Sequence, residues 1–400
     1  MEFPFRSRVL FALYALLLVS LFLYSYTQID LGLVITRIPS LYSIEKHFQY
    51  IGYFNRSLST TLFILLVLLL SVFYLYFLRQ FHRKQLTKRF FWSLVGVTAV
   101  VLAFSYNALS YDLFNYIFDA KILTHYHLNP YQYMALNFPQ DPMLGFMHWT
   151  NRTYPYGPIW LGLTVPLSFV GANIFIITFY LFKILIVGSY VGTVYFLSKI
   201  VEKVKFENPL YLTALFAFNP LVIMECCVSA HNDIVMLFFA IWSVYLLFEK
   251  KYLLAFILLF LSIGIKFATI FLLPIFIYVL WRRNTLHWEK LFIFLFLLML
   301  IPLFFVIMRT NFQPWYLLYI LVFVPLLPKY KKLQQGVLII SIISLAVYIP
   351  FLFLGNWNTP WFTVQTIIYY WLSVVALAVG IGYMLKLLFI DSSFRKQRSI

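Results

Sequence analysis

Acid is scarce in this chain. Only 13 of its 400 residues are Asp or Glu, against 30 Lys and Arg, and all charged residues together make up 11% of the sequence. A soluble globular domain carries roughly 25%, so there is no room here for a soluble domain. Cysteine is rarer still, with two, adjacent at Cys226 and Cys227. Chain neighbours cannot reach ordinary disulfide geometry, and nothing around them has metal-ligand spacing. A disulfide framework and a thiolate metal centre are therefore excluded. The chain has no Gly-rich phosphate loop, no Walker motif and no serine nucleophile elbow, which removes support for ATP or nucleotide-sugar chemistry on a cytoplasmic face. It also has no linker, no low-complexity tract and no internal repeat. Residues 1–400 read as a single integral membrane domain.

Long apolar runs fill the space. The chain is 63% hydrophobic with a mean hydropathy of +0.88. The runs are continuous and not alternating, which points to membrane helices and away from a β-barrel. An all-α polytopic fold follows, with twelve predicted crossings at roughly 9–26, 59–78, 91–110, 173–198, 209–222, 233–249, 252–265, 267–281, 291–308, 314–328, 335–353 and 363–386. Residues 158–170 are too few for a crossing of their own and are expected to form a short interfacial or re-entrant helix. The first run, with Arg6 and Arg8 before it and no small-residue cleavage site after it, reads as a retained signal-anchor.

The formal charge of +17 is explained by its distribution and does not imply nucleic acid. With both termini cytoplasmic, one side takes Arg6 and Arg8, the cluster Arg79 to Arg89, Lys199 to Lys205, Lys250 and Lys251, Arg282 to Lys290, Lys329 to Lys332, and Lys386 to Arg398. The other side keeps Arg37, Lys46, Arg56, Lys121, Arg152, Lys266 and Arg309, and Lys183 lies inside a span. This asymmetry sets the orientation. The later spans are shorter and broken by Pro, Gly and charge. Irregular backbone at membrane depth survives only where it is buried or lines a wet cavity, so a cavity is expected in the C-terminal half.

The unusual residues then fall on the extracytoplasmic side. The longest polar break, Ser110 to Pro158, holds Asp112, Asp119 and Asp141 and the run Tyr154-Pro155-Tyr156-Gly157-Pro158. Asp112 opens an amphipathic helix in which Leu113, Phe114, Ile117, Phe118 and Ile122 form one face, and Asp112, Asn115, Tyr116 and Asp119 the other. Two carboxylates turned toward a cavity suit general base catalysis, with Asn115 and Tyr116 to position one of them. Helix capping by Asp112 and a solvated face for Asp119 are the structural alternatives. Tyr131 and Tyr156 stand in turn sequences whose rings suit stacking on a sugar or an isoprenoid chain. His231, Asn232 and Asp233 lie in a hydrophobic run where such groups are costly unless satisfied, as does Glu225. Lys183, Lys266 and Arg309 have few acids near them and suit a phosphate held at the membrane boundary, although snorkelling accounts for Lys266 and Arg309 as well.

At these residues the chain resembles the GT-C superfamily of membrane glycosyltransferases, and within it is similar to glycosylphosphatidylinositol mannosyltransferase I and the related bacterial α-mannosyltransferases. The likeness runs through Asp112, Phe118-Asp119-Ala120, Asn129-Pro130-Tyr131, Thr153 to Pro158, Phe218-Asn219-Pro220-Leu221, Asn232-Asp233, Ile265-Lys266-Phe267, and Arg309 with Asn311-Phe312 and Pro314. Where that pattern has Asp-x-Asp, this chain has Asp112 followed by Asn115, which leaves Asp112 and Asp119 both open as the catalytic or metal-associated acid.

The resemblance implies a GT-C-like core over residues 91–325, two additional N-terminal spans in 1–90 and C-terminal spans in 326–400. It implies an inverting transfer of a hexose, mannose by preference, from a polyprenyl-phosphate sugar to a hydroxyl of a glycan or glycolipid at the outer membrane face. Asp112 and Asp119 are the expected catalytic residues. Asn115, Tyr131, Arg152, Tyr156, Lys183, His231, Asn232, Asp233, Lys266, Arg309, Gln313 and Trp315 are the expected substrate contacts. No fixed metal site is expected, and a divalent ion beside Asp119 stays open. The expected location is the plasma membrane; the endoplasmic reticulum is the alternative, on the sequons at Asn55 and Asn151. A transporter or flippase for a lipid-linked anion is the rival function, although it should show repeat symmetry.

Overall fold

The computed structural model describes residues 5–282, 287–357 and 360–396, without the side chains of 361–362 and 387–396. Arg283, Arg398 and residues 358–359 of the loop 355–363 lie outside the described residues. Among the described residues the architecture is entirely helical. In chain order the helices are α1 (Phe5–Ser25), α2 (Pro39–Gln49), α3 (Arg56–His82), α4 (Lys88–Ala103), α5 (Asp112–Thr124) and α6 (Pro158–Val170). They continue with α7 (Phe175–Lys203), α8 (Pro209–Ala217), α9 (Pro220–Val222), α10 (Asp233–Phe248), α11 (Tyr252–Ile263) and α12 (Leu273–Arg282). The last are α13 (Trp288–Thr310), α14 (Leu318–Leu321), α15 (Lys331–Ser344), α16 (Tyr348–Leu354) and α17 (Pro360–Lys396).

Helix occurs in every stretch where a crossing is predicted, but twelve crossings are not reached by length. Among the described residues, six segments are long and apolar enough to cross a membrane: Phe5–Gln28, Arg56–His82, Phe175–Lys203, Trp288–Thr310, Lys331–Leu354 and Thr363–Lys386. A seventh arises if Pro209–Ala217 and Pro220–Val228, bent by 49°, count as one broken span. The predicted third crossing at 91–110 is helical only to Ala103. Beyond it, polar side chains take the backbone out of the helix: Ser105 Oγ donates to Leu102 O, and Asn107 Nδ2 donates to Ser110 O. The predicted short helix at 158–170 is present as α6.

Helix ends sort into two groups. At one, Tyr26 after α1 donates to Phe104 O after α4, and Tyr26 meets Tyr180 near the start of α7. Tyr53 before α3 and Asp30 after α1 both meet Tyr111, one residue before α5. At the other, Lys88 of α4 pairs with Glu202 of α7, and Lys203 pairs with Glu249 at the end of α10. The candidate site lies at the first end, and part of the basic sequence clusters lies at the second.

The sequence Phe218-Asn219-Pro220 breaks the broken span, and the surrounding helices satisfy what the break releases. Asn219 Oδ1 accepts from Leu221 N and so starts α9, while its Nδ2 donates to Ser341. The freed carbonyls of Leu215 and Ala217 accept from the hydroxyls of Tyr74 and Tyr190. Rings of Tyr14, Phe77, Phe81 and Phe91 close around Phe218. A π-helical turn over Ile223–Val228 follows, and its last carbonyls need donors too. Lys183 supplies them: its ammonium, fully buried, donates to Cys227 O at 2.5 Å, Val228 O at 3.0 Å and Ser105 Oγ at 3.1 Å. That overturns the reading of Lys183 as a phosphate contact. An ammonium has three N–H groups, and here all three are spent on the protein. The C-terminal half is likewise not built round a cavity at this point. Asn219, Glu225, Ser229, His231, Asn232 and Asp233 are all fully buried.

One backbone clamp ties the polar break to the later helices. Gly157 N donates to Ile265 O, and Ile159 N donates to Gly264 O. A Cβ on Gly157 would stand 2.2 Å from Gly264 O, so only glycine permits this approach. Tyr154 holds the turn by donating to Gly157 O. The clamp sets Tyr156 beside Lys266.

The structural role of Lys183 has a direct test. Lys183→Met removes donors from two buried carbonyls and is expected to lower stability by on the order of 3 kcal/mol. Thermal unfolding in detergent would record the loss, and apparent donor affinity in the surviving folded fraction should be unchanged.

Candidate active site

Tyr111 anchors the start of α5. Its hydroxyl donates to Asp30 Oδ2 at 3.2 Å, and its ring lies 3.8 Å from that of His148, tilted by 34°. Ser110 Oγ accepts from Asp112 N at 3.1 Å. The apolar face predicted for α5 is buried as expected. The opposite face is less open than the pattern implies, because Asn115 and Tyr116 are also buried. Asn115 turns its Nδ2 back to Tyr111 O at 3.3 Å, a bond within the helix start and not a contact with Asp112. Asp112 and Asp119 retain partial exposure.

The second wall comes from the chain after the π-helical turn. Ala230 adopts a left-handed conformation with φ of 59°, which swings the backbone into α10. His231, Asn232 and Asp233 follow in succession. His231 Nδ1 lies 3.6 Å from Asp112 Oδ2, and its Nε2 lies 3.3 Å from Glu225 Oε2. Trp315 stacks on the imidazole at 3.9 Å and 19°. Tyr116 OH donates to Asn232 Oδ1 at 3.2 Å. Lys266 Nζ binds Asp233 Oδ2 at 2.7 Å and sits 5.4 Å above the Tyr156 ring. Tyr156 meets Tyr116 edge to face. Arg152, from the polar break, brings Nη2 to 4.0 Å from Asp112 Oδ1.

Three carboxylates (Asp112, Glu225 and Asp233) thus face three basic groups (His231, Arg152 and Lys266). The environment decides their charge. Burial would raise the Asp112 carboxyl, but hydrogen-bonding contact with His231 and the charges of His231, Arg152 and Lys266 leave it below its ordinary value. Burial would discharge His231; contacts with Asp112 and Glu225 outweigh it and raise the imidazole to about 9. Asp119 is different. Burial raises its carboxyl to about 7, opposed by Arg152 and reinforced by Asp112.

Several buried polar atoms here lack a hydrogen-bond partner among the described residues: Asn232 Nδ2, Asp233 Oδ1, Arg152 Nη2, Glu225 Oε2 and both ring nitrogens of His231, whose carboxylate neighbours stand at ion-pair and not hydrogen-bond geometry. Unpaired buried groups are costly and suit a polar ligand that would pair with them. Among the described residues no three His, Cys, Asp or Glu side chains form a metal-holding group.

The structure therefore brings together Asp112, Arg152, Tyr156, His231, Asn232, Asp233, Lys266 and Trp315. Asp119 adjoins them through the fields of Asp112 and Arg152. Tyr131 stands one step out, its exposed ring carrying a hydroxyl that donates to Tyr156 O at 3.3 Å. Gln313 precedes the turn that carries Trp315 and makes no side-chain hydrogen bond to the cluster. Arg309 is exposed in the last turn of α13 and makes no ion pair among the described residues, so it does not join the cluster. Glu225 and Tyr348 were not assigned a part by the sequence. The one available signal was an acid set in a run of apolar residues, six positions before His231.

A cavity of about 560 Å³ lies elsewhere, against Ile117, Lys121 and His125 of α5. Those positions fall on the face opposite Asp112 and Asp119. A buried ion pair between Lys121 and Asp141 at 2.6 Å forms part of its wall. A second cavity of about 560 Å³ runs between α1 and α3 and is lined mainly by leucines. Neither includes a residue of the charged cluster.

No curated protein and no solved structure matches the chain. Residues 19–283, however, match the family model described as alpha-(1->6)-mannopyranosyltransferase, N-terminal domain. That range contains α5, the polar break, the π-helical turn and Lys266, so it takes in all the charged side chains of the cluster. The chain belongs to the alpha-(1->6)-mannopyranosyltransferase family and is a glycosyltransferase of GT-C type.

Proposed function

We propose that the protein transfers mannose from a polyprenyl-phosphate sugar to a hydroxyl of a glycan or glycolipid acceptor, with inversion, at the extracytoplasmic membrane face. The observation that carries this reading is the setting of Asp112, one oxygen 3.6 Å from His231 Nδ1 and the other 4.0 Å from Arg152 Nη2, with these cations and Lys266 lowering its carboxyl. A carboxylate beside cations at the head of a buried helix fits a base that works next to a phosphate.

In this reading the acceptor O–H passes its proton to Asp112 Oδ1. The oxygen attacks the anomeric carbon from the side opposite the phosphate. The bond from that carbon to the phosphate oxygen breaks, and the polyprenyl phosphate leaves with the electron pair. Lys266 and Arg152 meet the charge that grows on the leaving phosphate. Lys183 has no part in this, and Arg152 takes the place first given to Arg309. Asn232 Nδ2 and Asp233 Oδ1 are free to bond hydroxyls of the sugar or the acceptor. The membrane face follows from the charge asymmetry of the sequence. It is supported by the separation of the cluster from the ion pairs at Glu202 and Glu249.

A second reading gives the proton to Asp119, whose carboxyl lacks an ion-pair partner among the described residues and is raised to about 7. The two readings differ in pH dependence. A base at Asp112 is already ionised below the ordinary carboxylate value, so transfer should be level between about pH 6 and 8. A base at Asp119 is protonated below about 7 and ionised above it. Transfer would then climb through neutrality and lose that rise in Asp119→Asn.

Transfer from polyprenyl-phosphate mannose in isolated membranes tests the assignment. Asp112→Asn should reduce it by roughly 10²- to 10⁴-fold at unchanged protein level. Wild-type rates in that variant would remove Asp112 from the mechanism. Arg152→Ala should raise the donor KM more than it lowers kcat, because Arg152 is exposed enough (38% of its side chain) to be removed without stranding a buried charge. An unchanged KM would remove Arg152 from the phosphate site.

A further inference from the structure

Glu225 is a buried carboxylate for which the transfer step has no direct use. It sits in the π-helical turn, fully buried. Its Oε1 accepts from the Tyr348 hydroxyl of α16 at 2.8 Å, and its Oε2 lies 3.3 Å from His231 Nε2. On the far side of the same ring, Nδ1 lies 3.6 Å from Asp112 Oδ2. The imidazole is therefore the centre of a carboxylate–imidazole–carboxylate row.

The charge of that ring follows from its neighbours. A neutral imidazole has one N–H and one bare nitrogen, so one of the two carboxylates would face a lone pair. Only the imidazolium presents a donor to each. Burying a carboxylate without a partner costs several kcal/mol, which makes the neutral ring the expensive state. The groups that face His231 are Asp112 from α5, Glu225 from the turn and the Trp315 indole. Arg152 and Lys266 bear on Asp112, Asp233 stands two residues on, and Tyr348 holds Glu225 from behind. The raised imidazole, about 9, agrees with this arrangement.

We propose that Glu225 is a positioning residue for glycosyl transfer, holding His231 from behind so that His231 fixes Oδ2 of Asp112 and leaves Oδ1 for the acceptor hydroxyl. The inference rests on Asp112 being the base. No bond is made or broken at Glu225, and no proton moves along the row during transfer. The acceptor proton stops at Asp112. Glu225 also offsets part of the imidazolium charge, which would otherwise make Asp112 a weaker base.

The test is the pH profile of Glu225→Gln. In the wild type, kcat should fall as His231 loses its proton near pH 9. In Glu225→Gln one carboxylate is gone and burial is less opposed, so that limb should move down by more than about one pH unit. At pH 7 kcat should drop on the order of 10- to 100-fold, the equivalent of one charge-assisted hydrogen bond, with donor KM within about twofold. Glu225→Asp should recover part of the loss. Because the effect passes through His231, the double variant Glu225→Gln/His231→Gln should be no slower than His231→Gln alone. An alkaline limb left near pH 9, or additive losses in the double variant, overturns the proposal.

Melting temperature gives a readout that needs no catalysis. The raised imidazole contributes stability that is complete below its ordinary value of about 6.5 and is lost as pH rises through about 9. Glu225→Gln should move that loss to lower pH, and an unmoved midpoint overturns the row whatever the enzyme transfers. Absence of transfer by the wild type would instead count against the proposed function. If Glu225→Gln does not accumulate in membranes, His231→Gln decides: an alkaline limb or stability loss that persists near pH 9 without this imidazole overturns the proposal.

Discussion

The site depends on mutual neutralisation among charges that are largely or fully buried. Glu225, His231 and Asp233 have no exposure, and the side chains of Asp112 and Lys266 retain 15% and 16%. Each would cost several kcal/mol if buried alone. With Arg152 they form a balanced set, three carboxylates against three cations, once His231 carries its proton. Among its buried members, Glu225, His231 and Asp233, removing one leaves another without its partner. The set also holds a carboxylate ionised inside a largely apolar helical body, where burial by itself would protonate it. Asp119 shows the contrast. It lies on the same helix, lacks an ion-pair partner among the described residues, and its carboxyl is pushed up to about 7.

Broken helices make that set possible. A continuous helix satisfies its own backbone and presents side chains only along its sides. The breaks at Phe218–Pro220 and Ile223–Val228 release carbonyls, and each release has an identifiable acceptor of the burden: Tyr74, Tyr190 and Lys183. With the backbone satisfied, the chain can turn through the left-handed Ala230 and place three polar side chains in sequence against α5. The clamp between Gly157 and Gly264 performs the matching task for Tyr156 and Lys266. The candidate site is therefore built on irregular backbone, and the carbonyls that the irregularity frees are satisfied by Tyr74, Tyr190 and Lys183.

Much of this was legible in the sequence, for physical reasons that differ by residue. Asp112, His231, Asn232, Asp233 and Lys266 stand out because polar groups in apolar runs are expensive and therefore rare. Their identity as a group came from rarity and from family resemblance. Lys183 stood out for the same reason and was misread. Cost alone does not distinguish a cation that waits for a ligand from one that caps buried carbonyls. Arg309 drew attention through its position at a helix end, yet its side chain is exposed and makes no ion pair among the described residues. Glu225 was noticed and left without a part, because nothing in the spacing Glu225 to His231 announces a π-helical turn, and an α-helical spacing would not bring the two together as this turn does. The count of twelve crossings is not confirmed by helix length, because apolar runs of 13 to 18 residues fit both a span and a buried helix, and length is the only local signal that separates them.

The amino-acid sequence by itself determined the helical class with several long apolar helices, the clustering of basic residues, and the family. Each of these depends on composition or on local order, which need no knowledge of neighbours in space. Tertiary structure decided which polar residues share a charge balance. It set Lys183 apart from the site, brought Arg152 to Asp112, and placed Glu225 behind His231. The first two depend on distances between segments more than 30 residues apart and on which donors the protein had already used, and the third on a π-helical turn that the local sequence does not announce. Electrostatic energies change steeply over a few ångströms in a low-dielectric interior, and no local pattern in the chain encodes that distance.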